Sequence, residues 1–378
     1  MVGKEGEGQT IRVQGWQSWS LARDTFLRVP CHRFSPHGEN SLEIQVPMPE
    51  GEKELPPRGW SSWPCCGPEV DERTVLTNAR WISGWLEREA GETDRPLYIV
   101  IDDGWTRWGD WHFWNESRFP RGIEYVADKI KGLGLNPGIW LSPFLAEKRS
   151  RLFQNHPDWF VRNDRGQLLD GIRDLPGNLK IRKRYLLDFT REDVYTYIFG
   201  SIDTVLGWGF DLVKLDFLFA PYFHPQFKTS EKPRQFLQGV FTHIRENFPA
   251  AYILASGCPL EAAVGQVDGR RLIDGIRISE DVVSPFLAGR WPLNRLVHQM
   301  LIRHLEVNLA ARKAIRTLWD LDPDIFACDP RLGISAIYLD RLAKTIKEAG
   351  GLIFLGDDLP NLPPDLTERY LETLLLNS

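Results

Sequence analysis

Apolar strand-like runs alternate with helical patterns from residue 58 to the end of the chain. The eight runs occupy residues 58–63, 96–104, 136–144, 210–217, 251–257, 272–279, 315–321 and 351–356. Stretches with helical spacing follow most of them, at 71–89, 121–134, 230–247, 291–314, 333–349 and near 365–376. Such alternation is typical of a parallel sheet, and eight units in roughly 320 residues fit a closed barrel. We therefore predict an α/β fold, a (β/α)8 TIM barrel.

A doubly wound sheet is the alternative fold, but no G-x-G-x-x-G motif follows a strand.

Residues 1–57 differ from the rest of the chain. "IRVQGWQSWS" and "NSLEIQVPMP" read as short strands, and "PEGEKELPPRG" reads as a linker. We predict a short β-rich N-terminal segment with a linker over 1–57, and the barrel over 58–378.

Composition excludes several classes of protein. The net charge is −5 and no basic stretch compensates it, so we expect no nucleic-acid partner. No apolar run approaches the ~18 residues of a membrane span, and "MVGKEGEGQT" lacks the apolar core of a signal peptide. The five cysteines are scattered, without the spacing of a zinc site or a disulfide framework. We expect a cytoplasmic, reduced protein with no membrane association.

The run "DLVKLDFLF", residues 211–219, is apolar enough for a buried strand but carries two charges. Lys214 and Asp216 are two positions apart and therefore point to the same face. Burial of a charge is costly unless the charge is paired. Two interpretations stay open at this point: an ion pair that braces the barrel interior, or two residues that face a functional site.

Acidic and aromatic residues recur where the predicted strands end. Active sites of such barrels lie at the C-terminal ends of the strands. The residues there are, in chain order, Trp60, Trp63, Asp102, Asp103, Trp140, Lys214, Asp216, Ser256, Cys258, Arg277, Glu280, Asp281, Asp322 and Asp324. Indoles cover the C–H faces of sugar rings and carboxylates bind the hydroxyls, so this mixture suits a small oligosaccharide.

Carboxylates are the best candidates for catalysis. The eight histidines lack metal-ligand spacing and no G-x-S-x-G motif occurs, so we expect no metal, no cofactor and no serine hydrolase. Two carboxylates suffice for glycoside hydrolysis. Asp216 should stay ionised beside Lys214, as a nucleophile does, and Glu280 should raise the pKa of Asp281, as suits a proton donor. Locally, Asp281 also fits a helix N-cap, and Asp102 and Asp103 also fit a loop turn.

Several stretches between residues 58 and 330 resemble glycoside hydrolase family 36, in the same order. They are "IDDGW", "PGIWLSPF", "HPDWF", "VKLDFLFA", "GCPLEAAVGQVDGRRLIDGIRISEDV" and "DLDPD". That family contains retaining α-galactosidases. The resemblance implies hydrolysis of terminal α-galactosides, of the melibiose or raffinose type, by double displacement through a covalent galactosyl-enzyme intermediate.

The resemblance also implies a role for each matching residue. Asp216 matches the nucleophile and Asp281 the general acid/base. Asp102 and Asp103 match the pair that binds O4 and O6 of galactose. The remaining matches to sugar-site positions are Trp140, Lys214 near O3, Arg277 near O2, and Trp60 at the end of the first strand.

The chain departs from the family pattern at three places. "RISED" replaces the frequent "R-I-G-P-D", so Glu280 stands beside the expected acid. "SGCP" replaces "C-G-S-P", so Ser256 and Cys258 exchange places at a contact near C2 of the sugar. Only about 57 residues precede the barrel where relatives carry a β-sandwich. "GWQSWS" resembles the end of that sandwich, so Trp16 or Trp19 either reaches the sugar or packs.

Other readings of the sequence stay open beside α-galactoside hydrolysis. The exchange of Ser256 and Cys258 is compatible with a related hydrolase for α-N-acetylgalactosaminides or α-glucosides, or with a transglycosylase. The short flanks are compatible with a carbohydrate-binding barrel that has no turnover. Self-association into a homo-oligomer is a further expectation, because the barrel faces lack the usual flanking domains.

Overall fold

The computed structural model describes residues 9–14, 41–46, 55–89, 96–172, 183–227 and 231–375. Trp16 and Trp19, whose roles the sequence left open, lie outside the described residues. Two strands precede the barrel, Gln9–Gln14 and Ser41–Val46, and they pair antiparallel. None of the described helices is long and apolar enough to cross a membrane.

Eight parallel strands form the barrel and are numbered here in chain order. They are β1 (Arg58–Ser61), β2 (Leu97–Ile101), β3 (Asn136–Leu141), β4 (Leu212–Leu215), β5 (Tyr252–Ala255), β6 (Gly275–Arg277), β7 (Asp320–Asp322) and β8 (Ile353–Leu355). From β1 to β7 each strand pairs with the next one in sequence, and β8 pairs with β1. Between β7 and β8, Leu352 N–H donates to Leu321 O and Phe326 forms a parallel bridge with Leu355. The predicted TIM barrel is confirmed.

Helices follow the strands largely where the sequence predicted them. The α-helices are Trp63–Cys66, Glu72–Glu89, Ile123–Lys131, Arg151–Asn155, Glu192–Gly207, Lys232–Asn247, Leu260–Ala263, Leu293–Arg312, Ala336–Ala349, Pro364–Leu366 and Glu372–Leu375, with a π-helical turn at Thr367–Leu371. The 3₁₀ turns are Gly67–Glu69, Pro157–Trp159, Ala220–Phe223, Pro225–Phe227, Pro285–Leu287, Lys313–Thr317, Pro330–Leu332 and Leu359–Asn361.

The seventh strand is shorter than predicted. We expected a strand over 315–321, but Lys313–Thr317 forms a 3₁₀ helix and β7 begins at Asp320. The apolar residues of this run pack as a continuation of the preceding helix, since Trp319 N–H donates to Ile315 O. An apolar run alone does not distinguish these two structures.

Alternating strand residues separate two apolar cores. Ile99 and Ile101 belong to the large core beneath the helices, whereas Tyr98 and Val100 belong to a small cluster with Leu212, Leu254, Ile325, Leu352 and Phe354. Because these residues occupy alternate positions, the small cluster fills the barrel interior. A Cβ atom at Gly138 would lie 2.9 Å from the Val100 side chain, so a larger residue at position 138 would displace Val100. The next residues on the interior faces, Asp102 after Val100 and Lys214 after Leu212, therefore lie nearer the mouth of the barrel.

An antiparallel sheet is inserted after β3. Its strands are Leu145–Ala146, Asp170–Ile172 and Arg184–Leu186, and the last of them lies in the middle. A second, two-stranded element joins Gln266–Val267 to Arg270–Arg271. The first insertion matters for the site because it brings Arg184 to the mouth.

Candidate active site

Lys214 and Asp102 form a buried ion pair at the mouth of the barrel. Lys214 lies on the interior face of β4 above Leu212, and Asp102 follows β2. The Lys214 Nζ lies 2.7 Å from Asp102 Oδ2, and both side chains are less than a tenth exposed. Burial by itself would lower the pKa of Lys214, but the Asp102 carboxylate raises it above its usual value. Lys214 is therefore a fixed cation.

This pairing corrects one detail of the sequence interpretation. An ion pair between Lys214 and Asp216 was one of the two interpretations left open, but the hydrogen bond from Lys214 goes to Asp102. The charge of Asp216 raises the pKa of Lys214 only as a smaller contribution. The other interpretation, that Lys214 and Asp216 face a functional site, stays a prediction, and both residues lie at the mouth of the barrel.

Two N–H groups hold the carboxylate of Asp216. Its Oδ2 accepts a hydrogen bond from Trp140 Nε1 at 3.0 Å, and its Oδ1 accepts one from the Phe217 amide at 2.7 Å. Phe217 has a φ of 55°, in the left-handed region that non-glycine residues rarely adopt. Trp140 is itself fixed by Trp108, whose ring centroid lies 4.9 Å away. The Asp216 carboxylate is half-buried and held in one orientation.

Asp103 lies beside Asp102 in a different environment. Its Oδ1 accepts a hydrogen bond from Trp108 Nε1 at 2.7 Å. Burial raises the pKa of Asp103 to about 7, although the charge of Arg184 and the bond from Trp108 act in the opposite direction. At neutral pH this carboxyl can therefore donate or accept a hydrogen bond.

Arg184 is a residue of this region that sequence reasoning missed. Its guanidinium lies 4.2 Å from the centre of the Trp108 ring and 3.1 Å from Glu147 Oε1. Arg184 belongs to the inserted sheet, 30 residues before Lys214 in the chain and outside any barrel strand. The expectation that site residues follow the barrel strands does not identify such a residue.

Arg277 binds three carboxylates on the other side of the mouth. Its Nε donates to Asp322 Oδ2 at 2.7 Å. Its Nη1 lies 3.1 Å from Asp281 Oδ1 and 3.0 Å from Asp324 Oδ1. The side chains of Arg277, Asp322 and Asp324 are 5% exposed or less, whereas that of Asp281 is 44% exposed. Of the three carboxylates, Asp281 is thus the one open to a ligand.

The pKa of Asp281 is raised, as predicted, but the predicted cause is wrong. Burial raises it, the charges of Arg277 and Lys214 lower it, and the charge of Asp216 raises it further. Glu280 instead turns away and lies 2.8 Å from His304. Burial opposes the charge of Glu280, but the contact with His304 prevails and lowers its pKa. Asp216 follows β4 and Asp281 follows β6, so the two carboxyls lie at the same end of the barrel.

The remaining predicted residues lie around this centre. Ser256 is buried after β5, and its amide donates to Leu215 O at 2.8 Å. Cys258 is half-buried, and burial together with Glu261 raises the pKa of its thiol, so it is neutral. Trp60 is fully buried, and its Nε1 donates to Asp357 O. Trp60 thus supports the wall of the site, and the half-buried Trp63 packs on the interior cluster instead.

The arrangement can perform acid–base and nucleophilic chemistry on a polar ligand. Asp216 is oriented by two donors, and Asp281 has a raised pKa in the same site. Asp102, Lys214 and Arg277 present fixed charges around them. Glycosidases use two carboxyl groups, one that is ionised and held in place and one that has a raised pKa and donates a proton.

Comparisons with known proteins agree with this chemistry. The Melibiase family profile matches residues 91–230. The α-galactosidase AgaA of Geobacillus stearothermophilus is 32% identical over 154 residues, which is 36% of this chain and 19% of that protein. The chain thus spans about a fifth of the length of this relative.

A solved structure covers more of the chain. TtGalA, an α-galactosidase from Thermus thermophilus in complex with p-nitrophenyl α-D-galactopyranoside, superimposes with a TM-score of 0.68 and 26% identity. The match covers 86% of this chain and 63% of TtGalA. Its complex with stachyose gives a TM-score of 0.66 at 25% identity, covering 90% of this chain and 72% of that one. These matches show that the chain is similar to α-galactosidases in sequence and in fold, in agreement with the resemblance found in the sequence.

Proposed function

We propose that this chain hydrolyses terminal α-galactosides with retention of configuration, through a covalent galactosyl-enzyme intermediate. One observation carries the proposal: the mouth contains an oriented carboxylate, Asp216, and a second carboxyl with a raised pKa, Asp281. The relatives named as α-galactosidases support the choice of sugar.

Asp216 is the proposed nucleophile. Its carboxylate attacks the anomeric carbon while Asp281 donates a proton to the departing glycosidic oxygen. The bond between C1 and that oxygen breaks, and an ester between galactose and Asp216 forms. Asp281, now ionised, then takes a proton from a water molecule that attacks C1 from the face opposite the ester, and the bond between C1 and Asp216 breaks. Galactose leaves with its original configuration.

The other charged residues serve as proposed sugar contacts. Asp102 and Asp103 bind O4 and O6, so the axial O4 of galactose is distinguished from the equatorial one of glucose. Lys214 binds O3, and Arg277 binds O2. Trp140 contributes to the sugar site through the hydrogen bond from its Nε1 to Asp216. Ser256 and Cys258 border the substituent at C2. Melibiose and raffinose, whose terminal sugar is α-galactose, are the proposed substrate type.

A panel of nitrophenyl glycosides tests the proposal. Release of nitrophenol is measured with the α-galactoside, the α-glucoside and the α-N-acetylgalactosaminide, using the wild type and Asp216→Ala. The proposal predicts turnover confined to the α-galactoside and lost in the variant. Preference for either other sugar would reassign the specificity. Galactose binding without turnover of any substrate would indicate a carbohydrate-binding barrel and refute the hydrolase.

A further inference from the structure

We propose that Asp324 is a positioning residue for Asp281, through the Val282 amide and through Arg277. The inference rests on the proposed function, in which Asp281 is the general acid/base. Asp324 follows β7, whereas Asp281 follows β6, so the two carboxylates come from neighbouring strands of the barrel. Asp324 is buried, and the partners of its carboxylate are the Val282 amide and Arg277.

The first link runs through the backbone. Asp324 Oδ2 accepts a hydrogen bond from the N–H of Val282, the residue immediately after Asp281. Burial raises the pKa of Asp324 to about 7, and above that pH its ionised carboxylate forms a stronger bond to the backbone amide than a neutral acceptor does. The peptide plane that joins Asp281 to Val282 is therefore fixed, and with it the direction in which the Asp281 side chain leaves the backbone.

The second link runs through Arg277. A single nitrogen of this residue, Nη1, lies 3.0 Å from Asp324 Oδ1 and 3.1 Å from Asp281 Oδ1. Asp322 holds Nε of the same guanidinium at 2.7 Å, so Arg277 has two buried anchors and one exposed partner. Removing the Asp324 charge frees Nη1 to move closer to Asp281. The proton donor would then lose its position and be held more firmly as an anion.

The backbone of Asp324 supports the same reading. Its φ is 81°, in the left-handed region that residues other than Gly, Asn and Asp rarely adopt. Its own amide donates to Asp322 Oδ1 at 2.9 Å, which holds this conformation. Strained residues persist where the surrounding structure fixes them, frequently at functional sites. The turn after β7 is thus held in the shape that points Oδ2 at Val282.

The test variant is Asp324→Asn. Asparagine tolerates a positive φ and retains an oxygen acceptor for Val282, so the variant removes the charge with little change of shape. Asp322→Asn is the second variant, because it removes the charge that pairs with Arg277 Nε. The asparagine oxygen still accepts the Asp324 amide, so the bond from Val282 to Asp324 is retained. Asp274→Asn is the matched control. Asp274 also accepts a backbone N–H, from Ile253, and also pairs with an arginine, Arg245, but at the opposite end of β6.

The readout is kcat/KM for α-galactosides with good and poor leaving groups. We expect Asp324→Asn to lower it about tenfold or more for melibiose, mainly in kcat, but less than about threefold for a dinitrophenyl galactoside, which needs little acid assistance. Asp322→Asn should show a smaller loss with the same dependence. Asp274→Asn should leave the dependence on the leaving group unchanged. Equal losses on both substrates, or no loss on either, would overturn the proposal.

A crystal structure of Asp324→Asn separates this inference from the proposed function. Displacement of the Asp281 carboxyl, relative to the wild type, supports the positioning role whether or not the chain hydrolyses galactosides. An unmoved Asp281 overturns it. A wild type without any turnover would refute the hydrolase proposal alone and leave this structural comparison to decide.

Discussion

The two sides of the barrel mouth hold their charges in opposite ways. On the side of β2 and β4, one cation, Lys214, pairs directly with one carboxylate, Asp102. On the side of β6 and β7, one cation, Arg277, is shared by Asp281, Asp322 and Asp324. The first is a one-to-one pair, whereas in the second one arginine contacts three carboxylates. Burial raises the pKa of one carboxyl on each side to about 7, that of Asp103 on the first and that of Asp324 on the second.

The catalytic candidates follow this difference. Asp216 lies on the first side and accepts two hydrogen bonds, which hold its carboxylate in one orientation. Asp281 lies on the second side, where burial raises its pKa. The orientation of Asp216 suits a nucleophile, and the raised pKa of Asp281 suits a proton donor. Five predictions break or sharpen this contrast.

The largest effect is expected for Asp216→Ala. Without the nucleophile, turnover should fall on the order of 10⁴-fold or more, because the carboxylate that forms the covalent intermediate is gone. Added azide should enter the vacated space and restore part of the rate, giving β-galactosyl azide, as product analysis would show. Near-normal activity of the variant would refute the nucleophile assignment.

Asp281→Ala should separate substrates by leaving group. For melibiose we expect a loss of about 10²–10³-fold, the contribution of a general acid, and a smaller loss for a nitrophenyl galactoside, whose leaving group needs little protonation. Steady-state rates on the two substrates give the comparison. If both substrates lose activity equally, Asp281 is not the proton donor.

Lys214→Met should unbalance the first side. It leaves the Asp102 carboxylate buried without its partner, which typically costs about 3–5 kcal/mol of the free energy of unfolding. Urea denaturation measures this cost. The double variant Lys214→Met/Asp102→Asn should recover most of the stability but not the activity, since both residues are proposed sugar contacts.

The exposed pair between Lys131 and Asp211 provides the control for that variant. Its Nζ–Oδ1 distance is 3.0 Å, close to that of the buried pair, but both side chains are more than a third exposed. Lys131→Met should therefore change the free energy of unfolding by less than about 1 kcal/mol. Equal costs for the two lysines would show that burial does not distinguish the pairs.

Asp103→Asn should alter the pH dependence of stability. In the folded chain, burial raises the pKa of Asp103 from 3.8 to about 7, so the folded state binds a proton that the unfolded state releases. Stability from this group is complete at low pH and is lost as the pH rises through about 7. The variant should show a shallower fall in unfolding free energy between pH 5 and pH 8. An unchanged slope would contradict the raised pKa.

The smallest effect is expected for Glu280→Gln. Glu280 is adjacent to Asp281 but contacts His304, Ser279 and Asn308 instead of the mouth. Activity should stay within about threefold of the wild type, as for a substitution away from the chemistry. A loss as large as that of Asp281→Ala, with the same dependence on the leaving group, would move the acid role to Glu280.

The sequence predicted the barrel because each strand and helix carries its own periodic pattern. The same alternation correctly placed Lys214 and Asp216 at the mouth. It did not reveal that Lys214 pairs with Asp102, because that contact joins residues 112 positions apart and depends on how side chains of different strands meet. Side-chain direction also escaped it: Trp60 points into the wall, and Glu280 points to a helix.

Stereochemistry of the first product tests the central claim most directly. Proton NMR, recorded in the first minutes of hydrolysis of nitrophenyl α-galactoside, distinguishes the anomers of free galactose before they interconvert. We expect α-galactose to appear first, because water displaces Asp216 from C1 of the covalent intermediate and so restores the original configuration. Initial release of β-galactose would contradict a nucleophilic Asp216 and require direct attack by water.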